Sequence, residues 1–178
     1  MMEERIVISD ANILFDLMSV DLLTPFFDLP WEVHATDLVL AEITNPEQLA
    51  SIEKFQKERK LNVVVFELSE MFKISALFKS CGNNASMPDC SVWYYAKKVD
   101  GRLLTGDRKL RSVAEKDSVR VSGILYIFDR MVENYVLPCT LAAEKLESLM
   151  KKNGRLPKEE CESRIENWLK EYNDFHSA

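Results

Sequence analysis

The sequence predicts a three-layer α/β/α sandwich with a mainly parallel central sheet, followed by a C-terminal helical extension. Three observations carry that expectation. From Arg5 to Val121, short β-branched or apolar runs alternate with helical patterns, as strands joined by helical crossovers require. The first run, Ile6-Val7-Ile8, is apolar without alternation, which suits a strand buried on both faces. With 178 residues and 47% hydrophobic content, the chain can build one sizeable core but not two ordinary domains.

The elements follow in order. Arg5 to Ser9 reads as a buried parallel strand running into a helix N-terminus at Asp10-Ala11-Asn12. Ile13 to Met18 and Leu22 to Phe27 keep helical apolar spacing, broken at Pro25 and Pro30. Val33 to Ala35 is a short second strand, and Thr36-Asp37 caps a helix carrying Leu38 to Ile43. Pro46 starts the next helix, with Leu49, Ile52 and Phe55 on one face. Leu61 to Leu68 is the third strand, after which Ser69 caps a helix through Phe78 that Gly82-Asn83-Asn84 ends. Pro88-Asp89 opens a helix with Val92, Trp93 and Ala96 inward. Arg102 to Thr105 is a strand, Gly106 a turn, Asp107 the start of a helix through Ala114, and Val119 to Val121 the last strand.

Beyond Ser122 the pattern is helical: Ile124 to Val136, Leu141 to Lys151 and Pro157 to Phe175. A core domain over residues 1–139 and a helical extension over 140–178 are therefore expected. Leu146, Leu149 and Met150 share one side of the extension, so it should pack on the core or on a second copy of the chain.

Composition limits the chemistry. No apolar run approaches the ~18 residues of a membrane span. Met1 to Arg5 is charged and lacks a small-residue cleavage site, so no secretory signal and a cytoplasmic location are expected. Cys81, Cys90, Cys139 and Cys161 show no C-x-x-C spacing, which argues against zinc and against a disulfide framework and for reduced, mostly buried thiols. Histidine is confined to His34 and His176, so catalysis must rest on carboxylates. The net charge of −6 argues against a strongly basic nucleic-acid sink. It leaves a nuclease open, because a metal-binding acidic site supplies negative charge that the bound cation reverses.

Four acids stand out: Asp10, Glu42, Asp89 and Asp107, each where a strand ends or a helix begins. In an open parallel sheet such positions face one crevice at the carboxyl ends of the strands. Converged carboxylates repel one another unless a proton or a cation neutralises them, and a divalent metal is the expected neutraliser. Taken singly, Asp10, Asp89 and Asp107 would serve equally as helix caps. Glu42 differs, since it sits among Leu38, Val39, Leu40, Ala41 and Ile43 in a helix expected to be largely buried, where a lone carboxylate is costly.

These residues fall in segments that resemble the PIN domain family of metal-dependent nucleases: Ile8-Ser9-Asp10-Ala11-Asn12, Leu40-Ala41-Glu42-Ile43, Met87-Pro88-Asp89-Cys90 and Leu103-Leu104-Thr105-Gly106-Asp107-Arg108-Lys109-Leu110-Arg111. The resemblance spans about Arg5 to Val121 and leaves out the tail. It implies that Asp10, Glu42, Asp89 and Asp107 hold one or two Mg²⁺ or Mn²⁺ ions, with Asn12 and Thr105 as supporting polar groups. Ala11 stands where many relatives have threonine. The activity implied is that of a metal-dependent endoribonuclease hydrolysing RNA phosphodiester bonds, most similar to the VapC-type toxins of bacterial toxin–antitoxin pairs. Relatives of that kind are cytosolic, often form homodimers and are silenced by a cognate antitoxin protein.

All-oxygen ligands select hard cations, which orient water, lower its pKa and stabilise the charge developing on a phosphodiester. Lys97, Lys98, Arg102, Arg108, Lys109, Arg111 and Lys116 make a basic stretch, in which Arg108, Lys109 and Arg111 are the expected RNA contacts; a solvated helix face is the alternative. Trp93 should be core, and Tyr94 or Tyr95 the exposed ring for base stacking. Two other functions compete. One is a non-catalytic binding module of the PIN fold; the other is a phosphoacceptor domain, which would need a lysine at the end of a later strand that is only weakly supplied.

Overall fold

A computed structural model of the chain describes Glu4 to His176, so Met1 to Glu3 of the charged N-terminus and the last two residues of the tail lie outside the described residues. The described strands are β1 (Glu4–Ile8), β2 (Trp31–Thr36), β3 (Leu61–Val64), β4 (Arg102–Leu104) and β5 (Arg120–Ser122). They form one sheet in the order β3-β2-β1-β4-β5, every pair parallel. The helices are α1 (Ala11–Ser19), α2 (Leu23–Phe27), α3 (Asp37–Leu40), α4 (Pro46–Lys57), α5 (Leu68–Cys81), α6 (Met87–Lys98), α7 (Arg108–Lys116), α8 (Ile124–Glu133), α9 (Cys139–Lys152) and α10 (Lys158–His176). This is the predicted α/β/α sandwich with helices after it.

By packing, the chain divides into two compact units, Met1–Phe15 with Pro30–Ile124, and Asp16–Leu29 with Leu125–Ala178. The first holds the sheet. Its central strand β1 buries Ile6, Val7 and Ile8 completely, as expected of a strand covered on both faces. One side of the core joins Val7 and Leu103 to Val92, Trp93 and Ala96 of α6 and to Leu110 and Ala114 of α7.

The second unit is helical. The Phe128 ring stacks on Trp168 with centroids 6.3 Å apart, and the Arg164 guanidinium donates to both oxygens of Asp129 at 2.9 and 3.0 Å. Through these contacts α8 packs with α10. The chain passes from one unit to the other at Phe15/Asp16, Leu29/Pro30 and Ile124/Leu125.

Two elements differ from expectation. β3 stops at Val64, and Glu67, not Ser69, caps α5: the Glu67 side chain accepts from the N3 backbone while the Glu70 carboxylate accepts from Glu67 N. α3 is only four residues long, capped by Thr36 Oγ1, which accepts from Val39 N. The segment Thr44-Asn45-Pro46 explains the short helix. Proline disfavours helical backbone at Asn45, which is extended at ψ 120° and spends its side chain capping α4 through Glu47 N and Gln48 N.

Candidate active site

In a sheet ordered 3-2-1-4-5, the chain reverses direction of growth between β1 and β4, and the crevice of a doubly wound sheet opens at that point beyond the strand carboxyl ends. Ile8 pairs with both Ala35 of β2 and Leu104 of β4, so these three strands end level. Asp10 follows β1, and Asp107 follows β4 by way of Thr105 and Gly106. The two acids stand at adjacent strand ends.

Each aspartate is anchored. Asp10 is half-buried, and its Oδ1 accepts from Asn12 N at 2.8 Å and Asn12 Nδ2 at 2.7 Å. Asp89 forms a capping box: its Oδ2 accepts from Ser86 N and Ser86 Oγ, both at 2.8 Å, and Ser86 Oγ accepts from Asp89 N at 3.2 Å. Asp107 is exposed and caps α7, its Oδ1 accepting from Lys109 N at 2.6 Å and Leu110 N at 3.0 Å. Buried Thr105 accepts from Asp107 N at 3.0 Å, so it shapes the loop that presents Asp107. These are the caps that each aspartate's local position suggests.

Glu42 corrects one expectation. It lies in the turn past α3, its N donating to Val39 O, and the residue is exposed, not buried in a helix. Its carboxyl still loses part of its hydration where it faces the crevice. That desolvation, then the charge of Asp89, then that of Asp10, push its pKa up from the ordinary value. Thus Asp10, Glu42 and Asp89, more than thirty residues apart in sequence from one to the next, come within electrostatic reach of one another, and Asp107 is not among the charges acting on Glu42. As the side chains stand, no three Asp, Glu, His or Cys among the described residues form a ready metal-binding group.

Sequence reasoning missed the hydroxyls that hold the helices in place. Thr36 Oγ1 and Ser91 Oγ meet at 2.9 Å and Ser91 Oγ donates to Pro88 O at 2.6 Å, all in the interior, which fixes the start of α6 against the end of β2. Ser9 Oγ donates to Leu104 O at 2.8 Å and ties β1 to β4 in the same way. The Ser86-x-x-Asp89 spacing was a visible capping signal; the Thr36–Ser91 contact carries no local signature.

Several of the side chains expected to meet substrate also have partners within the scaffold. Arg111 is half-buried, and its guanidinium donates to Val121 O at 3.3 Å and Thr105 O at 3.5 Å while pairing with Glu115. Arg108 and Lys109 are exposed beside Asp107. Neither tyrosine is the open ring expected for stacking: both are half-buried, Tyr95 OH lying 3.1 Å from His34 Nδ1 and Tyr94 OH 3.4 Å from Glu70. Trp93 is core, with Nε1 donating to Asp117.

The family model for the PIN domain matches residues 6–170. The chain belongs to the PIN domain family. The PIN match runs past the four motifs into α10, so it takes in the tail that those motifs leave out. Twelve chains of known structure match. One of them, PAE2754 from Pyrobaculum aerophilum, is 16% identical, with a TM-score of 0.51 over 75% of this chain and 99% of its own, a likeness of fold. No curated protein matches the chain. Among the described residues no helix is long and apolar enough to cross a membrane.

PIN domains are nuclease-type folds that typically use divalent metals, and the donors here suit such an ion. Glu42 makes no side-chain hydrogen bond or ion pair among the described residues, and Asp10 Oδ2 and Asp89 Oδ1 are left over by the anchoring bonds. These are hard oxygen donors carrying uncompensated negative charge, the set that Mg²⁺ or Mn²⁺ favours.

Proposed function

We propose that this PIN domain is a metal-dependent endoribonuclease in which Asp10, Glu42 and Asp89, with Asp107 at the neighbouring strand end, hold Mg²⁺ or Mn²⁺ for hydrolysis of RNA. The observation that carries this reading is that Asp10 and Asp107 stand at adjacent strand ends with Glu42 within reach of the charges of Asp10 and Asp89. A carboxylate that caps nothing and pairs with nothing, set against two like charges, weakens the apo fold, and a cation removes that cost.

When bound, the ion supplies Lewis acidity, activating water and offsetting charge on the phosphate. The chain's own residues position everything else. Asn12 fixes the Asp10 carboxylate by two hydrogen bonds, Ser86 fixes that of Asp89, and Thr105 shapes the Asp107 loop. Arg108 and Lys109 give the acidic rim two cations for the RNA backbone. The choice of RNA, and a toxin role with a cognate antitoxin, rest on the resemblance of the four motifs.

The test is direct. Purified protein incubated with structured RNA should yield fragments with Mg²⁺ or Mn²⁺ and none with EDTA, and Asp89→Asn should abolish them. Full activity in Asp89→Asn would hand the chain to the binding-module reading.

A further inference from the structure

Cys81, Cys90, Cys139 and Cys161 are all free thiols, and two of them meet. Cys81 closes α5 and Cys90 lies in the first turn of α6, yet their sulfurs stand 3.8 Å apart in the interior, nine positions apart in the chain. Cys139 and Cys161, in the helical unit, have no such sulfur neighbour among the described residues.

The surroundings favour a bond between the pair. Gly82, directly after Cys81, holds φ at +60°, and a Cβ built there would meet nothing within 4 Å, so the chain between the two helices can turn at a residue that no neighbour wedges. Cys81 is the outer thiol, 9% exposed, and Cys90 lies behind it with no exposure. A small oxidant therefore meets Cys81 first, with the sulfur that traps the product already beside it. Cys90 also follows Asp89, whose carboxylate caps α6 through Ser86, and Cys90 N donates to Ser86 O at 2.9 Å. The pair adjoins the acidic site without belonging to it.

We propose that Cys81 and Cys90 are a site of reversible oxidation, forming a disulfide with hydrogen peroxide as the oxidant and drawing the start of α6, with Asp89, out of its working position. The thiolate of Cys81 attacks one peroxide oxygen and the O–O bond breaks; hydroxide leaves, takes up the thiol proton as water, and Cys81 becomes a sulfenic acid. The Cys90 sulfur then attacks the Cys81 sulfur. The S–S bond forms, the S–O bond breaks, and the departing hydroxide takes the Cys90 proton as a second water. Two thiols have lost two electrons, which the peroxide has gained. A dithiol reductant reverses the step by exchange.

A disulfide holds its sulfurs about 2.05 Å apart, so closure brings the two roughly 1.8 Å nearer than they stand. Cys90 is packed into the core with Val92, Trp93 and Ala96, where close packing resists rotation of its side chain. Part of the movement then falls on the first turn of α6. Groups at a reacting centre tolerate little of it, since a misplacement of ~1 Å can cost about 10²-fold in rate. The bond itself is independent of the nuclease reading; its effect on cleavage rests on that reading.

The full chain, treated with hydrogen peroxide and alkylated without reductant, tests the inference by mass spectrometry. The expected product has lost two hydrogens, yields peptides joined through Cys81 and Cys90, and returns to the thiols with dithiothreitol. Cys81→Ser and Cys90→Ala should each lack the joined peptides, and Cys139→Ser should keep them. Adding Mn²⁺ should raise the Tm of the oxidised protein less than that of the reduced protein, and oxidation should slow RNA cleavage at least about tenfold. Four free thiols after peroxide, Cys81 stranded as a sulfinic acid, or a bond to Cys139 or Cys161 would overturn the pair. An oxidised protein with the Mn²⁺ shift and cleavage rate of the reduced one would overturn its hold on Asp89. If the reduced protein cuts no RNA, the nuclease reading fails, while the joined peptides and the Mn²⁺ melts still decide the switch.

Discussion

Replacing Glu42 by glutamine isolates the electrostatic strain of the acidic rim, because this side chain, unlike Asp10, Asp89 and Asp107, caps no helix. Its folded pKa lies above the ordinary 4.5, through partial desolvation, then Asp89, then Asp10. Between those two values the folded protein binds more protons than the unfolded chain, so Glu42 lowers stability as pH rises through that window. Above the window the penalty is constant, and below 4.5 it vanishes. The residue is solvent-exposed, so its repulsions belong to the screened surface range of roughly 0.2–1 kcal/mol in total. For a chain of this size 1 kcal/mol moves Tm by about 2–4 °C, and Glu42→Gln in EDTA at pH 7 should therefore melt up to about 3 °C above the parent. The difference should disappear at pH 4. Mn²⁺ should raise the parent's Tm and raise that of Glu42→Gln less, because the variant has lost a charged ligand. Scanning calorimetry at two pH values, with and without Mn²⁺, measures all four quantities. A variant that melts at or below the parent in EDTA at pH 7, with an unchanged Mn²⁺ shift, would refute the reasoning.

Further outcomes separate scaffold from site. Arg111→Ala should destabilise by about 1 kcal/mol, since it removes the donor to Val121 O and Thr105 O, whereas Arg108→Ala should leave urea melts unchanged and weaken RNA binding in a salt-dependent manner. Gly101→Ala should cost about 1–3 kcal/mol by overpacking, because a Cβ there would sit 3.3 Å from Arg5 O and from Val7 Cγ2; chemical denaturation measures it. Burial holds the His34 pKa below its ordinary 6.5, against the opposing pull of Glu32. The unfolded chain then binds the proton more readily, and stability falls as pH drops below about 6.5. That fall should be smaller in His34→Gln, as melts from pH 8 to 5 can show.

The sequence by itself determined the elements whose causes are local. Ile6-Val7-Ile8 announces a buried strand, Thr36-Asp37 a helix start and Pro88-Asp89 the opening of another helix, because β-branched runs and caps act over a few residues. The four acidic segments were legible for the same reason, and with them the PIN family. Tertiary structure alone decided the rest. Strand order is not written in any segment, yet setting β4 beside β1 is what makes Asp10 and Asp107 neighbours. Glu42 looked buried by its apolar flanks, but Pro46 and the Asn45 cap end the helix early and turn it out to solvent. The partners of Arg111 and Tyr95, the carbonyls of Thr105 and Val121 and the ring of His34, come from other elements, so no local pattern could name them. What a long polar side chain does depends on which backbone or ring the fold places within about 3 Å of it, and that placement belongs to the whole chain.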